Sequence, residues 1–89
     1  MSAYDYLKID GSFVKDMMSD PIDRSLVEAI NQIGHIIGIK TIAEFVENSD
    51  ILETLRKLGV DYAQGYHVAK PAPIEEILLQ TGAGKSSAA

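Results

Sequence analysis

Hydrophobic and polar positions change period in a regular order along this chain. From residue 4 to residue 10 they alternate, with Leu7 and Ile9 on one face and Tyr6, Lys8 and Asp10 on the other, which is the period of a strand. A loop-like stretch follows, holding Met17 and Met18, read as packing filler, and ending at Asp20-Pro21. Leu26, Val27, Ile30, Ile33 and Ile37 then recur at helical spacing up to Gly38, a residue suited to a left-handed helix stop. Residues 39–46 are rich in β-branched residues and largely apolar, as in a strand covered on both faces, with Lys40 at the start and Glu44 as the charge within the run. Asn48, Ser49 and Asp50 offer N-caps for a second helix carrying Ile51, Leu52, Leu55 and Leu58 and ending at Gly59. Asp50 and Glu53 have capping-box spacing, and Glu53 with Lys57 makes a favourable i,i+4 pair. Residues 60–66 read as a third strand, and Pro71, Ala72 and Pro73 lead into a short helix over 74–79.

The order β-α-β-α-β-α implies parallel strands joined by right-handed crossovers, either in an open doubly wound sheet or in a closed barrel. Both architectures collect ligand chemistry at the carboxyl ends of the strands. Lys8, Glu44 and Gln64 each stand near such an end, polar residues on otherwise apolar strands, and are expected to face one shared mouth.

Composition narrows the function classes. With 46% hydrophobic and 24% charged residues the chain has the make-up of a folded unit. At 89 residues it buries only about 60–65% of its unfolded surface, so its core is thin. A net charge of −5 without a basic run argues against binding DNA or RNA, while carboxylates with divalent ions suit a small phosphorylated ligand. The absence of cysteine excludes disulfides and thiolate chemistry. No stretch has the length of a membrane span, and the expected location is cytoplasmic. His35 and His67 lack the spacing of a helical metal pair. Gly84-Lys85-Ser86 ends like a phosphate loop, but Leu79 stands where that loop needs glycine, so residues 81–89 read as a flexible tail.

Three segments carry a resemblance. Leu7-Lys8-Ile9-Asp10-Gly11-Ser12-Phe13-Val14, Thr41-Ile42-Ala43-Glu44-Phe45-Val46-Glu47 and Gly59-Val60-Asp61-Tyr62-Ala63-Gln64-Gly65-Tyr66, with Lys70-Pro71 closing, resemble in order and spacing the late motifs of EAL domains, the cyclic di-GMP phosphodiesterases. The resemblance implies a partial (β/α)₈ TIM-type barrel in which residues 1–80 supply the last three β/α units. The Glu-Ala-Leu and Asp-Asp segments typical of the family's earlier units are absent from this sequence.

In complete members of that family two divalent metals, Mg²⁺ or Mn²⁺, activate water for hydrolysis of cyclic di-GMP to linear pGpG. By resemblance Lys8 orients or stabilises the attacking water, Glu44 serves as metal ligand or water-directed base, and Gln64 hydrogen-bonds in the same pocket; Asp10 and Glu47 are substrate-binding candidates. With most metal ligands missing, the chain alone is expected to bind no metal and to be inactive, and to self-associate or join the missing barrel half through its open edge. The alternative implied by the same resemblance is a non-hydrolysing EAL-like receptor for the nucleotide or a protein-interaction module. Phe45 departs from the glycine common at its position; by alternation it is expected to point away from Glu44, toward the covering helices.

Overall fold

The computed structural model describes residues 6–65 and 68–81, with elements in the order β1 (Tyr6–Ile9), α1 (Gly11–Asp16), α2 (Pro21–Ile36), β2 (Lys40–Ala43), α3 (Ser49–Leu58), β3 (Tyr62–Ala63), β4 (Ala72–Pro73) and α4 (Ile74–Thr81). The strands form one sheet in sequence order. β1, β2 and β3 are parallel, as the alternation of strand and helix requires, with Ile9 opposite Ala43 and Ala43 opposite Ala63.

The three residues of that register row are fully buried and open the core. Val14, Met17, Val27, Leu52, Leu55, Ile74 and Ile77, from all four helices and the turn after α1, join them at 2% exposure or less. Successive strand residues point to opposite faces, so this row fixes the other face of β1–β3 as the one turned away from the core.

Several elements differ from the sequence-based expectation. The stretch read as a loop after β1 begins with α1: Asp10 caps it by accepting from Ser12 N at 2.8 Å, and Val14 and the following Met17 face inward while Met18 is exposed. α2 starts a turn early, at Pro21, because Asp20 accepts from Ile22 N and Pro suits the first helical position. α3 is capped by Asn48, which accepts from Ile51 N at 2.9 Å, so no Asp50–Glu53 capping box forms. Glu53 accepts its direct hydrogen bonds from Arg56, one turn on, while Lys57 adds a favourable charge interaction.

The third strand is only two residues long. Its outer edge is covered by β4, which runs antiparallel with Tyr62 opposite Pro73, so the sheet is mixed and not wholly parallel. A proline is tolerated there because β4 is an edge strand whose missing N–H breaks no inner ladder. Gly59 ends α3 in the left-handed conformation, with φ 89°, as its position after the last apolar residue suggested. His67, Tyr66 and all of the tail beyond Thr81 lie outside the described residues.

The apolar residues of α2 divide between two faces. Val27 is buried and Ile30 packs against the core, whereas Ile22, Leu26, Ile33, Ile36 and Ile37 are 38–77% exposed. The single-stripe reading of the helix therefore described only half of its amphipathicity. The exposed residues recur at i, i+4, i+11, i+14 and, at the C-cap, i+15, a second stripe on the same helix.

Candidate functional site

Lys8 occupies the outward-facing row of β1, and Glu44 and Gln64 continue the corresponding rows just beyond β2 and β3. The ladder extends past the strand ends to hold them: Glu44 N donates to Ile9 O at 3.2 Å, Gln64 N to Ala43 O at 3.0 Å, and Val46 N to Gln64 O at 3.0 Å. Gly65 lies so close to the neighbouring segment that a Cβ would stand 3.0 Å from Val46 N, and its φ of 114° independently favours glycine. Lys8, Glu44 and Gln64, together with Phe45, Gly65, Val68 and Ala69, line a cavity of about 420 Å³. The three polar residues expected at one mouth are brought together.

Within the cavity Lys8 Nζ lies 4.0 Å from Glu44 Oε2. The lysine side chain is 67% exposed, so the pair contributes at most about 1 kcal/mol to stability and leaves both charges available to a ligand. Gln64 Nε2 donates to Ala69 O at 2.8 Å, which fixes the amide and turns its oxygen free for another donor. Deeper along the same sheet face, the Tyr6 and Tyr62 rings meet edge-on at 5.4 Å across β2, where Ile42 is 4% exposed.

The other candidates lie elsewhere. Asp10 is spent as the α1 cap, and its hydrogen bond from Ser12 N holds its carboxyl below the usual carboxylate range. It borders a separate recess with Gly11, Ser12, Lys15, Asp16 and Phe45. Glu47 is exposed and outside the cavity lining. Phe45 does not sink among the covering helices: it adopts φ 56°, is 66% exposed with its ring against Gly11 at the start of α1, and forms the ridge between the cavity and the Asp10 recess. Alternation fails because the regular strand ends at Ala43 and the left-handed residue resets the side-chain direction.

A polar network missed by sequence reasoning sits at the opposite, amino-terminal end of β2. Asp61 Oδ2 accepts from Thr41 N at 2.9 Å and lies 2.7 Å from His35 Nε2. The Thr41 hydroxyl bonds Asn31 Oδ1, and Asn31 Nδ2 donates to Leu58 O at 3.0 Å. Partial burial pushes the Asp61 carboxyl up, but the His35 and Thr41 hydrogen bonds outweigh it and hold it below its ordinary value. The available signal was a polar Asn31 and Thr41 within apolar runs. Beside this network a larger recess, about 650 Å³, opens along α2 and Leu58, far from the strand ends where parallel folds do chemistry.

Among the described residues Glu44 is the one carboxylate lining the cavity, and no three His, Asp or Glu side chains are grouped to hold a metal ion. Mg²⁺ or Mn²⁺ needs several oxygen donors in near-octahedral array, so the described residues do not by themselves make such a site.

The model of the EAL domain family matches residues 2–71. Two curated relatives are the cyclic di-GMP phosphodiesterases PdeB of Shewanella oneidensis, 44% identical over 79% of this chain, and PdeA of Borreliella burgdorferi, 47% identical over 79%. The chain spans 8% and 10% of their respective lengths. Among solved structures, the PaMucR phosphodiesterase in complex with c-di-GMP superposes with a TM-score of 0.68 at 36% identity, covering 82% of this chain and 30% of that one. An EAL domain protein from Listeria monocytogenes gives 0.67 at 35%, covering 89% and 32%. Motif, parallel α/β register and structural likeness coincide on the same residues, and the chain belongs to the EAL domain family.

Proposed function

We propose that this chain is the carboxyl-terminal part of a cyclic di-GMP phosphodiesterase domain, supplying the last three β/α units of a (β/α)₈ barrel and one side of its active site. The observation that carries this reading is the convergence of Lys8, Glu44 and Gln64 on one cavity at the carboxyl ends of three adjacent parallel strands. Phosphodiester hydrolysis needs the nonbridging charge neutralised, a water placed in line with the leaving oxygen, and that oxygen stabilised. The Lys8 ammonium meets the first need and holds the water by hydrogen bonding; Glu44 accepts that water's proton or helps hold a divalent ion. The anchored Gln64 amide orients the ligand. In the complete domain Mg²⁺ or Mn²⁺ would find its remaining ligands on other units.

Two experiments test the reading. In a chimera where residues 2–71 replace the matching segment of the MucR phosphodiesterase, cyclic di-GMP is hydrolysed to pGpG, and Glu44→Gln lowers kcat by about 10²-fold or more. A folded chimera with Glu44→Gln at full activity would refute the role of Glu44. The 89-residue chain alone turns over no cyclic di-GMP under Mn²⁺; turnover abolished by Glu44→Ala would overturn the half-site reading. A second reading, a receptor that binds without hydrolysing, is favoured by the lone carboxylate in the cavity. It predicts a chimera that binds the nucleotide and leaves it intact.

A further inference from the structure

Gly11 occupies the first position of α1, is buried, and is not among the positive-φ glycines, so its backbone does not require glycine. Helix propensity alone favours alanine there. The requirement comes from its neighbour: a Cβ on Gly11 would fall inside the Phe45 ring and against the Phe45 Cβ. Gly11 is thus a notch that receives an aromatic side chain from a residue 34 positions away. Phe45 borders both recesses, the one beside α1 and the cavity lined by Lys8, Glu44 and Gln64. Its left-handed backbone fixes the origin of the side chain on the ridge between them. A ring denied the first recess has the second as its nearest covered surface, and an aromatic face moves to cover in preference to water.

We propose that Gly11 is a positioning residue for the candidate site: by seating the Phe45 ring against α1 it keeps the mouth of the Lys8–Glu44–Gln64 cavity open. The pair acts as a matched size exchange, large at 45 with none at 11: filling the notch displaces the ring, and with it the Phe45 Cβ that the added methyl would meet at 2.8 Å, while the polar residues lining the cavity keep their identity. The consequence of this seat for nucleotide binding rests on the function proposed above.

The test is access to the cavity, read by NMR as the paramagnetic relaxation that a soluble nitroxide induces at the Gln64 side-chain amide. The full chain is compared with Gly11→Ala, Phe45→Gly and the double variant. In the unmodified chain, ring protons of Phe45 show cross-relaxation to the Gly11 α protons, and the Gln64 amide is relaxed by the probe. Gly11→Ala protects that amide, and adding Phe45→Gly removes the protection. Unchanged relaxation in a folded Gly11→Ala chain, or protection that persists in the double variant, overturns the proposal. If Gly11→Ala alone fails to fold, a folded double variant supports the seat, whereas a double variant that also fails to fold refutes it. Titration with cyclic di-GMP separates the two readings. A ring covering the mouth in about nine molecules of ten raises the apparent Kd of Gly11→Ala about tenfold. With that titration made on the chimera carrying residues 2–71, no binding by the chimera with Gly11 intact sinks the nucleotide reading, while the nitroxide result still decides the role of Gly11.

Discussion

Phe45 is where the energetics of this chain are most exposed to test. Truncation to alanine keeps the left-handed backbone at φ 56° and removes the ring. The side chain is 66% exposed, so about a third of it is covered. At roughly 1.5–3 kcal/mol for complete burial of a phenylalanine, Phe45→Ala costs about 0.5–1 kcal/mol. Replacement by glycine loses the same contacts but also relieves the Cβ–carbonyl repulsion of the left-handed conformation, about 1–2 kcal/mol. Against that stands the extra freedom glycine gains in the unfolded chain, about 0.5–1 kcal/mol. The terms place Phe45→Gly within about 0.5 kcal/mol of the unmodified chain and more stable than Phe45→Ala by about 0.5–1 kcal/mol.

Urea unfolding followed by far-ultraviolet circular dichroism at neutral pH reads this order as the midpoints of three transitions with equal m-values. The difference between glycine and alanine isolates the backbone, since neither has a ring. An alanine variant as stable as the glycine variant, or more so, would refute the left-handed conformation and with it the ridge that Phe45 forms between the two recesses.

Two further predictions follow from residues outside the cavity. The exposed stripe of α2 lies beside β1, the edge strand among the described residues, so the chain is expected to self-associate in sedimentation velocity, and Ile33→Asp with Ile36→Asp to return it to monomer; a monomeric unmodified chain at high concentration would count against this. Asp61 is held below its unfolded value, so its contribution is present above about pH 4 and is lost as pH falls through the lower folded value. Asp61→Asn, which removes a charged acceptor from His35 and Thr41, is expected to cost about 2 kcal/mol at pH 7 and to flatten the acid limb of a stability-against-pH curve, and an unchanged limb would show that other carboxylates govern it.

What could be read from sequence was what depends on local period. Lys8, Glu44 and Gln64 were legible because a two-residue repeat and a shared strand direction are enough to put strand-end side chains on one face. Gly38 and Gly59 were legible as helix stops because the left-handed conformation is a local demand, and both adopt it. Reading failed where a residue's role is set by something distant. Asp10 alternates with Lys8 as a site residue should, yet the chain turns into α1 immediately after it and the carboxyl becomes a cap. The two residues of β4 carry no period of their own and exist because β3 offers an unpaired edge. Asp61 reaches Thr41 and His35 across 20 and 26 positions, and no spacing rule connects them.

Phe45 joins both kinds of failure and explains why the site itself was half visible. The alternation that places Glu44 in the cavity also predicts Phe45 outside it, and only the first half holds, because the repeat is a property of extended backbone and the chain leaves that region one residue after Glu44. A motif in which glycine is usual and phenylalanine stands instead signals a special dihedral and not merely a substituted side chain. Had residue 45 remained extended, its ring would lie among the helices, Gly11 would have no ring to accommodate, and the cavity would lose one wall. The backbone conformation of one residue therefore decides the shape of the mouth through which Lys8, Glu44 and Gln64 meet a ligand.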